Sequence, residues 1–105
     1  MKRLAMRYDA NMDPECIRLC DALNAMPGVR TFESCCGHGT HPFGIWFVVD
    51  VLGRLRPLLD ETTDDAQWTV SVRIASGTDA IIFRLEGPAD IFSGDRLAAR
   101  FERRP

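Results

Sequence analysis

Residues 29–51 read VRTFESCCGHGTHPFGIWFVVDV, and how this run divides decides the fold. Its opening, VRTFES, is β-branched and aromatic and predicts a strand. Its end, FGIWFVVDV, is apolar on both faces and predicts a second strand, central in its sheet. Gly37, Gly39, Pro42 and Gly44 fall between or at the edge of the two. They call for an irregular loop rather than a tight two-residue turn. The run is therefore a hairpin with an elaborate connection.

Upstream, MDPECIRLCDALNAMPG (residues 12–28) predicts a helix. Asp13 is placed to cap it, Pro14 takes the favoured first position, and Glu15 complements the positive end. Cys16, Leu19, Cys20, Leu23 and Met26 recur at steps of three and four and form one apolar stripe. Pro27-Gly28 stops the helix.

Downstream, the leucines at 52, 55, 58 and 59 predict a second helix, kinked at Pro57 or carrying it in the first turn. WTVSVRIA (68–75) alternates cleanly, with Trp68, Val70, Val72 and Ile74 expected inward. SGTD turns the chain, and AIIFRLEG (80–87) returns it with Ile81, Phe83 and Leu85 inward. Ser93 is placed to cap a last helix whose apolar edge is Leu97, Ala98 and Phe101. The expected order is α-β-β-α-β-β-α, an α+β domain with an antiparallel sheet of about four strands and helices on one face.

The chain has 105 residues, 46% of them hydrophobic, with no internal repeat or linker, and the expectation is one domain spanning 1–105. A net charge of −2 argues against general DNA binding, although a protein or RNA partner stays open. The basic residues are one lysine and otherwise arginines, as a GC-rich genome or carboxylate and phosphate contacts would produce. No run approaches the ~20 apolar residues that span a bilayer, and the amino-terminal run has no signal-peptide pattern. The expected compartment is the cytoplasm, where thiols stay reduced.

In that setting the four cysteines read as ligands, nucleophiles or core fillers rather than disulfides. The connection ESCCGHGTHPF (33–43) concentrates them with histidine. Cys35, His38 and His41 are spaced so that a glycine-rich loop can wrap one ion, with Cys36 as a substitute for Cys35 and Cys16 or Cys20 completing a tetrahedral zinc shell. The same residues allow a thiol-dependent enzyme in which Cys35 acts beside His38, with backbone amides cradling an anion. They also allow a turn without chemistry, the protein then serving as a protein–protein adaptor. The acidic run of Asp60, Glu61, Asp64 and Asp65 reads as a solvated helix end. Arg100, Arg103 and Arg104 complement a helix C-terminus. Trp46 and Trp68 read as core or sheet-face residues.

PGVRTFESCCGHG (27–39) resembles a segment of the wybutosine-synthesising tRNA methyltransferases, in which a turn and strand lead into a Ser-Cys-Ser-Gly-Arg motif. Ser34, Cys35 and Gly37 match that motif, with Cys36 and His38 in place of its second serine and its arginine. FRLEGP (83–88) is similar to a later strand end of the same family. The resemblance implies RNA or nucleotide modification, which in that family acts on a modified guanine with S-adenosylmethionine as methyl donor. SCCGHG also resembles a string carried by small uncharacterised bacterial and phage proteins.

Overall fold

In the computed structural model the described residues are 13–63, 67–74, 76–77 and 80–103. Asp64, Asp65 and Arg104, named above, lie outside them, as does part of the SGTD turn.

The first helix, α1 (Pro14–Asn24), has proline at its start and glutamate in its first turn. It buries Cys16, Leu19, Cys20 and Leu23, the stripe set by the sequence spacing. The chain then reverses through Gly28, whose φ of +77° lies in the left-handed region. That backbone favours glycine, and a side chain there would also have to displace the Asp50 and Arg54 side chains.

Strands β1 (Val29–Cys35) and β2 (Phe43–Val49) pair antiparallel, with a bulge between Thr31 and Glu33. A 3₁₀ turn over Leu52–Arg54 leads into α2 (Leu55–Thr63), which carries Pro57 in its first turn. There the missing N–H removes no helical bond. Strands β3 (Thr69–Ile74) and β4 (Ile81–Gly87) form the second hairpin, and α3 (Ser93–Glu102) closes the described chain. The sheet order is β1-β2-β4-β3, antiparallel throughout. The doubly apolar β2 is central, as its composition requires.

Helices cover one face of this sheet. Ile45, Phe47, Phe83 and Leu85 point at them and join Leu19, Leu23, Leu58, Leu97 and Phe101 in one continuous core. Phe47 stacks on Phe83 with centroids 5.5 Å apart, and Phe43 meets Trp68 edge-on at 6.0 Å. Each such side chain contributes about 1.5–3 kcal/mol when fully buried. On the other face Trp46 is half-buried, with the Arg84 guanidinium 4.9 Å from its ring centroid. Arg18 and Glu102 join α1 to α3 through two hydrogen bonds of 3.0 and 2.6 Å. Glu61 of the acidic run faces Arg100 at 3.9 Å.

Three local expectations are corrected. Asp13 occupies the N-cap position of α1, yet its side chain makes no cap hydrogen bond. Ser93 is the first residue of α3 rather than its cap, and its hydroxyl donates to the carbonyls of Asp90 and Pro88. The third concerns the inward side of the second hairpin. Val72 and Ile74 are each 62% exposed and Ile81 is 41% exposed, because the helical layer covers β3 only in part. Alternation selects a face of a strand; it does not say whether anything covers that face.

Candidate metal centre

The connection between β1 and β2 is short and strongly shaped. Gly37, His38 and Gly39 form one 3₁₀ turn with φ values of +77°, +53° and +81°. Glycine adopts that region freely, whereas a histidine does so at a cost of order 1 kcal/mol. His38 is the one non-glycine residue with positive φ among the described residues. Gly37 has a further reason to be glycine, since a Cβ there would sit 2.9 Å from the carbonyl oxygen of Pro42. Its own carbonyl accepts the N–H groups of Thr40 and His41, each at 3.0 Å.

This turn points its side chains at the start of α1. Asp13, left without a capping role, accepts the Cys36 N–H on Oδ2 at 3.1 Å and so ties the helix start to the turn. The His38 ring lies alongside, with Nε2 3.9 Å from Asp13 Oδ2 and Nδ1 3.7 Å from Cys36 Sγ. Cys35 Sγ accepts the Gly37 N–H at 3.4 Å, and Cys36 Sγ accepts the His38 N–H at 3.3 Å. Asp13, Cys35 and His38 each present a donor atom, and the three atoms lie within 4.8 Å of one another. The protein thus carries an Asp/Cys/His cluster able to hold a metal ion.

Cys35 and His38, the foremost ligands on sequence grounds, come together here. Asp13 joins them without having been anticipated; its position at a helix start suggested a cap, and only the packing of α1 beside the turn reveals the other use. Cys36 turns inward and is buried at the margin of the cluster. Burial pushes its thiol pKa up, against the N–H bond from His38. His41 is exposed and lies outside the three-residue group. Cys16 and Cys20 are sunk in the core, and burial raises the Cys16 thiol to about 12, with the Ser34 hydrogen bond opposing. All four cysteines are free thiols.

Among the described residues no helix is long and apolar enough to cross a membrane. No family model, no curated protein and no solved structure matches the chain.

Proposed function

We propose that the protein is a small zinc-binding module, with Asp13, Cys35 and His38 as ligands and the ion fastening the start of α1 to the β1–β2 connection. One observation carries this reading: three donors of different chemistry, from two elements 22 residues apart in sequence, converge within 4.8 Å. Thiolate, imidazole and carboxylate together suit zinc better than calcium or magnesium, which take oxygen ligands. Tetrahedral zinc holds such donors about 3.5 Å apart, so the cluster closes by no more than about 1.5 Å, within reach of an exposed histidine side chain. Ligation through His38 Nε2 leaves Nδ1 facing Cys36 Sγ, the kind of outer partner that fixes a ligating ring.

Three protein ligands leave a fourth position for water or for a group from a partner, so the site differs from a closed four-ligand structural knuckle and has room to bind a further group. The setting in which these thiols stay reduced is the cytoplasm. The thiol-enzyme reading draws less support from the site. The sulfur in contact with His38 Nδ1 is that of Cys36, at 3.7 Å, and burial shifts its pKa upward, opposite to the shift that activates a nucleophile, whereas Cys35 meets the ring only within the 4.8 Å span of the cluster.

Native mass spectrometry of untagged protein tests the proposal. The expected result is one zinc per chain, removed by chelator and restored by added zinc. Asp13→Asn, Cys35→Ser and His38→Asn each lower affinity, by about 10-fold or more for a lost ligand. Asparagine is chosen at 38 because it tolerates the left-handed backbone. Cobalt substitution gives a second readout: a sulfur-to-cobalt band present in the wild type and absent in Cys35→Ser. Zinc well below one per chain, unchanged on zinc addition, refutes the proposal.

A further inference from the structure

The two edges of the sheet are treated differently. At β1 the ladder is broken by the Thr31/Glu33 bulge, α1 lies against the strand, and the Thr31 N–H is taken by Asn24 Oδ1 at 2.8 Å. Those features blunt an edge against further pairing. Among the described residues β3 has no bulge and no side chain capping its edge, and α2 meets it far less closely than α1 meets β1. This strand is six residues long, pairs in register with β4 from Thr69 to Ile74, and contains no proline or glycine. Among the described strands its other side is the outer edge of the sheet.

Along that edge the helical layer gives only partial cover, leaving Val72 and Ile74 62% exposed and Ile81, the cross-strand partner of Ile74, 41% exposed. Three aliphatic side chains on one face, next to a straight edge with backbone groups to satisfy, form a surface for another strand.

We infer that β3 pairs with β3 of a second copy, antiparallel about a two-fold axis at Val72, to give a continuous eight-stranded sheet. The strand is complementary to itself in this register. Val72 meets the partner's Val72, and Val70 meets the partner's Ile74, so each of the three aliphatic residues of β3 finds another. On the opposite face Ser71 lies across from the partner's Arg73, which keeps the two arginines from pairing directly. Residues of equal parity face each other, so the two helical layers stay on one side of the joined sheet. Because the β1 edge is blunted, pairing ends at two copies instead of growing into a fibre. The strand edge and the three aliphatics of both copies bury on the order of 1,000 Å², the low end of specific interfaces, so the dimer is weak and depends on concentration.

Sedimentation equilibrium on the full chain, from about 5 to about 500 µM, tests this. The expected result is monomer at the low end and dimer at the high end, with hydrogen exchange in β3 slowing as dimer forms. Val72→Lys and Ile74→Lys, both at exposed positions, hold the protein monomeric with an unchanged circular-dichroism spectrum. A monomer across the whole range overturns the inference. A dimer that survives both lysines overturns it too, because another surface is then in use. So does a monomer that dimerises only once residues 1–12 are removed, which would assign the edge to the chain's own N-terminal segment.

Discussion

Asn24→Ala is expected to destabilise the protein by about 2 kcal/mol, more than a half-buried polar residue in the last turn of a helix usually costs. Two bonds are lost. Asn24 Oδ1 accepts the Thr31 N–H at 2.8 Å, and Asn24 Nδ2 donates to Thr31 Oγ1, also at 2.8 Å. Thr31 is 2% exposed, so water does not readily replace the acceptor at its N–H. Leaving a buried donor without that partner costs about 1–3 kcal/mol, and the side-chain bond adds about 0.5–1.5 kcal/mol. The better helix propensity of alanine returns about 0.5 kcal/mol. For a domain of this size the net loss lowers Tm by roughly 8–16 °C. Urea unfolding followed by tryptophan fluorescence measures it, Trp68 being buried in the core. Asn24→Asp keeps an acceptor for the Thr31 N–H, and the Thr31 hydroxyl can donate to the new carboxylate, so it is expected to cost less than half as much as alanine. An alanine variant within about 0.5 kcal/mol of wild type would refute the reasoning, since that is below the cost of one buried unmet donor. Equal losses for Asp and Ala would refute it as well.

Cysteine alkylation at pH 8 is expected to modify Cys35 first, because Cys16, Cys20 and Cys36 are buried, with zinc protecting Cys35 and chelator removing that protection; peptide mass mapping locates the label. Burial holds the Cys16 thiol protonated in the fold up to about 12, whereas the unfolded chain releases that proton near its ordinary value of 9.0. The folded form then binds more protons than the unfolded, so this contribution is complete below pH 9 and is lost as pH rises toward 12, by at most about 1.4 kcal/mol per pH unit. Thermal unfolding between pH 9 and 11 should show a shallower decline in Cys16→Ala than in wild type.

How much of this was legible in the sequence varies with the range of the interaction. The element order and the antiparallel sheet follow from patterns within single segments: a three-four stripe on α1, alternation on β3 and β4, and a doubly apolar β2. Pro14, Pro27 and Gly28 bound the first helix by local sterics that hold in any fold. The two foremost ligand candidates were legible as well, because Cys35 and His38 sit in one turn and glycine geometry brings near neighbours together.

Asp13 was not, and the reason is physical. Aspartate before a proline-led helix is a cap on local grounds, and its carboxylate leaves that role only because α1 packs with its start beside Cys36 N–H, 23 positions away. The fate of the other cysteines is likewise tertiary: adjacent Cys35 and Cys36 part company where β1 ends and the 3₁₀ turn begins, one at the cluster and one buried. Val72 and Ile74 show the same limit from the opposite direction. The sequence by itself determined which residues share a face, since side-chain direction follows from backbone period. Only the tertiary structure decided what lies over each face, since coverage depends on where distant helices end.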